Sequence, residues 1–435
     1  MDKKTERSAK GADFEVSQRT FPLFKDESSP PEALPFKRIR DESWDYSDVP
    51  AGTGIYGIHP YPAMFHFLVV RRLLQNFSEE NALIFDPFMG SGVVAGECLI
   101  SKRDFIGYDI NPLAVLIAKV RTTPIPASQL LKLLPSIEKR YRETEPSEID
   151  FPNIDYWFTP EAIASLSKLL TSISDIEDEN CRDFFKVAFS ETVRRVSLTD
   201  YNEFKLIRRK NGLNQDALEV FRQVSLRNIG LLGEFYKNFP PQKSNLKLEI
   251  RNILSEPIPI ERESIDLVIT SPPYGDSKTT VAYGQFSRLS LRWLGMEERV
   301  DRESLGSKGK EIELGLPSEI LYEVLERIAE KDEKRAREVF SYYYDLFQAI
   351  SVIGEKVKRG GYVAFVVGNR RVKGEELPTD KISADFFQSL GFEHLGTIVR
   401  GIFNKRMPSE NAPSNIRGER DFTMRQEFIV LLRKD

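Results

Sequence analysis

The sequence predicts an α/β fold: a doubly wound, largely parallel sheet with a helical domain inserted into it. Three observations carry this. A short apolar run, NALIFDPF, passes through a glycine-bearing turn into the helical text SGVVAGECLISK and then into a second strand, DFIGYDI; a parallel doubly wound sheet begins this way. Far downstream a β-branched run, SIDLVI, stops at Pro272-Pro273, where no backbone donor remains to continue a ladder. Between about Pro124 and Asn245 strand alternation is absent, and helical periods such as TPEAIASLSKLLTSISDI replace it.

The elements follow in order. Residues 1–50 carry mixed charge, the turn-rich run SSPPEALP and little periodicity, and are read as a flexible arm tethered at its end by Trp44. FHFLVVRRLLQNF reads as an amphipathic helix ahead of the first strand. Residues 122–245 form the helical insertion. Sheet text resumes with LKLEIRNI and SIDLVITSPPY; a polar second insertion, about Gly284 to Lys334, is read as a mobile loop plus helix. The chain closes with the helix SYYYDLFQAISVIGEKVK, the strand GYVAFVVGN, the helix ISADFFQSLGF and the strands HLGTIVRG and QEFIVLLRK. The sheet domain therefore spans 51–121 and 246–435.

With 435 residues, 40% of them hydrophobic, the chain can bury a sizeable core. No run approaches the roughly 20 apolar residues of a membrane span, and MDKKTERSAKGADF lacks a secretory stretch; the expected location is the cytoplasm, with no membrane partner. Two cysteines in unrelated contexts, Cys98 and Cys181, exclude a disulfide framework and a cysteine zinc cage, and three histidines make no multi-histidine site. No metal is expected. Net charge is −4, from 62 basic and 66 acidic residues, so any polyanion must be met by local patches. Two exist: Lys356 to Lys373 holds six Lys/Arg and no acid, and KLIRRK clusters Lys205, Arg208, Arg209 and Lys210.

Two motifs carry chemistry. Asp86-Pro87-Phe88-Met89-Gly90-Ser91-Gly92 sits where strand turns into helix, and its glycines would let a ligand approach the backbone and the helix N-terminus. No Gly-Lys-Ser/Thr follows and Gly96 lies four residues past Gly92, so it is neither a P-loop nor GxGxxG. Asp109 in GYDINP, at the next strand end, is placed to accept from ribose hydroxyls, or else to cap a helix before Pro112. In Thr270-Ser271-Pro272-Pro273-Tyr274-Gly275 the paired prolines stiffen the backbone and leave the Pro272 carbonyl as an acceptor beside the Ser271 hydroxyl. Two acceptors beside the Tyr274 ring suit the planar exocyclic amine of a nucleobase.

DPFMGSG, then GYDINP, then TSPPYGD resembles the S-adenosylmethionine-dependent amino-methyltransferases that modify exocyclic amines of nucleobases; the serine of SPPY resembles the DNA cytosine-N4 type of prokaryotic modification enzyme. Gly57-Ile58-His59-Pro60-Tyr61-Pro62-Ala63, FSETVRRVS (189–197), GNRRVKG (368–374) and NKRMPSEN (404–411) resemble further stretches of that family. The resemblance covers about 57–121 and 246–435 and implies a Rossmann-like methyltransferase sheet. It implies S-adenosyl-L-methionine as cofactor, bound by His59, Pro60, Tyr61, Asp86, Pro87, Phe88, Gly90, Ser91, Gly92, Asp109 and Ile110. Catalysis would fall to Ser271, Pro272, Pro273 and Tyr274. The cofactor motif precedes SPPY here, the reverse of the permuted order of many cytosine-N4 enzymes, which leaves the placement of the target-reading domain open.

The reaction implied is direct methyl transfer to an amine of a base flipped from duplex DNA, with Tyr274 as stacking face. No cysteine nucleophile of the carbon-5 type is needed; Cys98 and Cys181 read as small core residues. Arg194, Arg195, Lys205, Arg208, Arg209, Arg370, Arg371, Lys405 and Arg406 are the expected DNA contacts, and the insertion 122–245 is the candidate target-recognition domain. Arg194, Arg195, Arg208 and Arg209 could instead form helix-surface ion pairs with Glu191 and Glu203. SKTTVAYGQFSRLSLRWLG after SPPY is read as a loop and helix bordering the target cleft. Two other activities stay open, adenine-N6 methylation of DNA and guanine-N2 methylation of tRNA, as does a cognate restriction endonuclease as partner.

Overall fold

The structure, a computed structural model, describes residues 36–201, 203–209, 215–255, 257–275, 281–402 and 425–435, and the backbone of 410–411 and 421–422. Lys210, Lys405, Arg406 and most of NKRMPSEN lie outside the described residues.

The strands are β1 (Arg38–Arg40), β2 (Leu83–Asp86), β3 (Asp104–Asp109), β4 (Leu246–Ile250), β5 (Ile265–Thr270), β6 (Val357–Val367), β7 (Arg370–Val372), β8 (Glu375–Leu377), β9 (Phe392–Gly401), β10 (Glu410–Asn411), β11 (Asp421–Phe422) and β12 (Gln426–Lys434). Eight of them form one sheet in the order β1-β9-β12-β6-β5-β2-β3-β4, while β7 pairs β8 and β10 pairs β11. β2, β3, β4, β5 and β6 run parallel, and β12 lies antiparallel between β6 and β9. β5 is almost wholly buried, as a strand covered on both faces must be, which is why IDLVI is a continuous apolar run rather than an alternating one. The chain winds from β2 through β3 to β4 on one side and returns to β5 on the other side of β2. This reversal opens a crevice beyond the carboxyl ends of β2 and β5.

The helices flanking that crevice are α1 (Phe67–Phe77), α2 (Val93–Ile100) and α3 (Pro112–Arg121). α3 starts on an Asn111 cap whose side chain accepts from the Leu113 amide, with Pro112 at the first helical position. The insertion holds α4 (Ala127–Glu143), α5 (Ile154–Trp157), α6 (Pro160–Ser174), α7 (Glu179–Val196) and α8 (Ala217–Asn238). α7 packs on α3 of the sheet layer and on α9 (Tyr283–Trp293), and Phe36–Asp435 form one compact unit. The insertion thus shares its interior with the sheet. The remaining helices are α10 (Val300–Glu303), α11 (Glu319–Ala329), α12 (Glu333–Lys356) and α13 (Thr379–Gln388).

Two expectations need correction. The last part of the expected arm is sheet: β1 pairs in parallel with β9, Arg38 grips Asp380 through two bonds of 2.6 and 2.8 Å, and Trp44 is fully buried with Arg72 4.1 Å above its ring. Charged RIR carries no apolar period because ion pairs and an edge ladder, not a buried face, hold it. The second insertion is a fastened loop over 304–318 rather than a mobile one. Leu305 and Leu316 are buried in the sheet core, the Gly306 amide donates to Asp345 at 2.8 Å and the Lys310 amide to Ser341 at 2.8 Å. Between these anchors Lys308, Gly309 and residues 311–315 are exposed, Leu314 at 90%.

Candidate active site

The crevice is a cleft of about 920 Å³ including its mouth, lined by Tyr61, Asp86, Pro87, Phe88, Gly90, Ser91, Asp109, Ile110, Asn111, Ser271, Pro273 and Tyr283 among others. Its size falls in the range of small-molecule sites. Three strand ends converge on it. At the end of β2 the Asp86 carboxyl accepts from the Thr270 hydroxyl at 2.7 Å and the Phe88 amide at 3.1 Å. At the end of β3 the Asp109 carboxyl accepts from the Asn111 amide at 2.8 Å and, across the turn, from the Gly90 amide at 2.9 Å. Burial pushes Asp86 up to about 7 and Asp109 up to about 6, against the bonds they accept. Two buried carboxyls with raised pKa values at one cleft are poised to take a cationic or hydroxyl-bearing ligand.

The two glycines of the turn have different jobs. Gly90 has φ +51 with the Tyr61 ring 3.5 Å from where a Cβ would stand, so it borders the cleft. Gly92 has φ +78, and a Cβ there would lie 2.5 Å from the Ala118 Cβ; it is glycine so that α2 can meet α3, not so that a ligand can approach. Arg121, fully buried, braces this turn from behind, donating to the Ser91 carbonyl and hydroxyl and to the Ile55 and Tyr56 carbonyls. Nothing in the sequence separates Arg121 from a surface arginine at a helix end.

Ser271 and Pro273 line the cleft, whereas Pro272 is buried in the turn and Tyr274 stands behind Ser271. The Pro273 carbonyl accepts from the Tyr342 hydroxyl at 2.6 Å, which ties the rigid turn to α12. The Ser271 hydroxyl meets the Tyr274 hydroxyl at 3.1 Å, and Tyr274 in turn reaches Glu427 on β12 at 3.1 Å. Asn111, also in the lining, donates to Ser287 on α9 at 2.7 Å and to the Tyr61 hydroxyl at 3.2 Å. Sequence reading missed Asn111, Tyr283, Ser287 and Glu427; the Asn-Pro helix start was the one signal for Asn111.

Several expected contacts sit elsewhere. His59 is 1% exposed, outside the cleft lining; its Nδ1 donates to the Pro60 carbonyl at 2.9 Å, so Nε2 accepts from the Ser190 hydroxyl at 2.7 Å. Burial pushes it down to about 4, and it is a neutral pin between the 57–63 segment and α7. Pro60 likewise is not among the lining residues. Arg194 is 1% exposed and lies 4.2 Å over the Phe286 ring, donating to the Phe286 and Glu203 carbonyls at 2.9 Å; it cannot reach a phosphate and is corrected to an interior brace. Arg195 pairs with buried Glu191 at 2.6 Å, and Arg209 with Asp200 at 2.9 Å. Arg370 is 9% exposed and packs 5.5 Å from the Tyr342 ring. Lys205, Arg208 and Arg371 are exposed.

The N6/N4 family described as DNA methylase matches residues 2–120. Type II methyltransferase M.MvaI of Kocuria varians is 38% identical over 417 residues, covering 86% of this chain and 90% of that protein. The chain belongs to the type II DNA methyltransferase family. A more distant member, M.BsoBI of Geobacillus stearothermophilus, is 23% identical over 391 residues, 74% of this chain and 76% of that protein. A solved putative DNA modification methylase of Thermus thermophilus, complexed with S-adenosyl-L-methionine, is 18% identical over 40% of this chain and 50% of that one, with a TM-score of 0.20. For a type II DNA methyltransferase the sheet order itself is informative, since its reversal beside β2 brings the DPFMGSG and TSPPY turns to one cleft. Among the described residues no helix is long and apolar enough to cross a membrane.

Proposed function

We propose that this DNA methyltransferase transfers a methyl group to the exocyclic N4 amine of cytosine in duplex DNA, acting in the cytoplasm as the modification partner of an endonuclease of the same specificity. The observation that carries the reading is the Ser271 hydroxyl in the wall of the same cleft that Asp86, Gly90 and Asp109 line. The donor set fits S-adenosyl-L-methionine: two buried carboxyls whose ionisation a cationic ligand would favour, and a glycine turn at the switch point. When bound, that cofactor supplies an activated methyl on a sulfonium. Asp86 and Asp109 would hold its polar groups, with Tyr61, Phe88 and Ile110 packing against it.

Ser271 Oγ accepts a hydrogen bond from the target amine, which weakens delocalisation of the nitrogen lone pair into the ring and frees it for attack. A serine can accept from a cytosine amine without presenting a charge. Prior flipping of the base is required, because the amine nitrogen is otherwise stacked and paired. Cys98 and Cys181 are buried, so the chain offers no cysteine to a covalent carbon-5 route. Lys205, Arg208 and Arg371 are the exposed cations proposed to meet phosphates, and the α4–α8 insertion is the proposed target-reading region.

The test is a division of roles. Ser271→Ala is expected to lower turnover about a hundredfold or more with cofactor affinity unchanged, and Asp109→Ala to weaken cofactor binding first. Equal losses of both quantities in both variants would refute the assignment.

A further inference from the structure

Behind Ser271 the structure holds a chain of polar groups that the reaction, as described so far, does not use. Glu427 on β12 and Arg400 on β9 are directly paired across the antiparallel ladder. Their side chains are 18% and 5% exposed, and Arg400 donates to Glu427 Oε2 at 2.5 Å. Arg400 is itself immobilised, with Nε donating to the Trp44 carbonyl at 2.9 Å and Nη2 to the Asp45 carbonyl at 3.2 Å. A guanidinium only donates and an ionised carboxyl only accepts. With Oε2 committed to Arg400, Oε1 accepts from the Tyr274 hydroxyl at 3.1 Å. Having spent its one hydrogen, the Tyr274 oxygen accepts from the Ser271 hydroxyl at 3.1 Å.

We propose that Glu427, fixed by Arg400, is a positioning residue that sets the direction of the Ser271–Tyr274–Glu427 hydrogen-bond chain, so that Ser271 offers lone pairs and not its hydrogen to the target amine. The inference rests on the reading that Ser271 accepts from that amine. A serine hydroxyl left to itself rotates freely and presents donor or acceptor alike; an amine hydrogen facing the serine hydrogen would be repelled. The chain removes that ambiguity before the base arrives, which is preorganisation in the sense that matters for rate. Burial and the adjacent Glu427 carboxylate hold the Tyr274 phenol well above its ordinary value, so it stays the proton donor the chain requires. The segment Trp44–Asp45, distant in sequence, lies against β9, and its carbonyls accept from Arg400.

Glu427→Gln tests this sharply because it keeps shape and reverses polarity. The amide oxygen must answer Arg400, so the amide N–H turns to Tyr274; Tyr274 then donates to Ser271, and the Ser271 hydrogen turns toward the cleft. Single-turnover methyl transfer is measured with excess enzyme, unmethylated bacterial genomic DNA and S-adenosylmethionine labelled in the methyl group, with cofactor affinity by calorimetry. Glu427→Gln is expected to slow transfer about ten- to a hundredfold with cofactor affinity unchanged. Tyr274→Phe keeps the ring and the Glu427–Arg400 pair but cuts the chain, and is expected to slow transfer about three- to tenfold. Adding Glu427→Gln to Tyr274→Phe should then cost less than about twofold more. The same loss with and without the Tyr274 hydroxyl, or wild-type transfer by Glu427→Gln or by Tyr274→Phe, would overturn the proposal, and the Tyr274→Phe arm decides it even if Glu427→Gln fails to fold. Ser271→Ala separates the two levels: wild-type transfer there refutes the acceptor role itself, whereas slow Ser271→Ala with fast Glu427→Gln refutes only the chain.

Discussion

Gly92→Ala places a methyl group 2.5 Å from the Ala118 Cβ and 3.0 Å from its Cα, in a residue with φ +78. Two costs add. Forcing an L side chain into the left-handed region costs about 1–2 kcal/mol, and overpacking a close helix contact costs about 1–3 kcal/mol, so the variant should lose about 2–5 kcal/mol. Gly90→Ala is the internal control: φ is +51, but the nearest atom is a Tyr61 ring carbon at 3.5 Å, so only the left-handed cost of about 1–2 kcal/mol applies. Urea unfolding, followed by circular dichroism and fluorescence together, reads both. Adding Ala118→Gly should relieve part of the overlap at Gly92→Ala and none at Gly90→Ala. The double-mutant coupling is expected at about 1–2 kcal/mol for the first pair and near zero for the second. Equal costs at the two glycines, or no coupling between positions 92 and 118, would refute the division between a packing glycine and a cleft glycine. Cofactor affinity should show the opposite order, with Gly90→Ala the more damaging.

Cofactor affinity should rise with pH between about 5.5 and 8, by up to about tenfold per unit below 7 if Asp86 must ionise to bind a cation, and Asp86→Asn should flatten the profile; a flat wild-type profile in calorimetry contradicts the placement of Asp86. The free protein should show the reverse trend, because carboxyls raised to about 7 and 6 from 3.8 bind more protons folded than unfolded. Their contribution is fully present below about pH 4 and is lost as pH rises through 6 and 7, which thermal unfolding across that window checks. Arg194→Ala should cost about 3 kcal/mol of stability by removing two charge-assisted hydrogen bonds to the Phe286 and Glu203 carbonyls. Lys205→Ala should leave stability within about 0.5 kcal/mol; Arg208→Ala, which also loses a 3.0 Å bond to the Tyr156 carbonyl and a contact with the Tyr156 ring, should cost about 1 kcal/mol; each should lower the slope of log affinity for DNA against log salt by about 0.9. Arg208→Ala unfolding the protein, or Arg194→Ala changing only the salt slope, would reverse these assignments.

Much of the fold was legible because the relevant residues face one way or are buried outright. NALIFDPF, DFIGYDI and SIDLVI are strands whose apolar runs leave little alternative, and the glycine and proline punctuation places their ends. The side of β2 on which β5 returns was not legible, since order in a sheet depends on long-range pairing that no local pattern encodes. Charged groups misled most. β1 is invisible as a strand because Arg38 and Arg40 are held by Asp380 and Asp45. In α7 everything from Val187 to Arg194 is buried, so no polar face distinguishes Arg194 from its neighbour Arg195. Ser190, Glu191 and Arg194 bond instead to His59, Arg227 and the Phe286 carbonyl. The motifs DPFMGSG and SPPY were legible as chemistry; the groups that orient them, Arg121, Asn111 and Glu427, act through tertiary hydrogen bonds from positions whose local sequence resembles an ordinary helix end, cap or strand.

The central claim is that the serine-bearing cleft methylates the N4 amine of cytosine in DNA. Nucleoside mass spectrometry after incubating the protein with labelled S-adenosylmethionine and either unmethylated bacterial genomic DNA or total RNA tests it directly. The account predicts labelled N4-methylcytosine in DNA and no labelled nucleoside in RNA. N6-methyladenine in DNA would contradict the cytosine assignment, and methylated guanosine in RNA would contradict the substrate class itself.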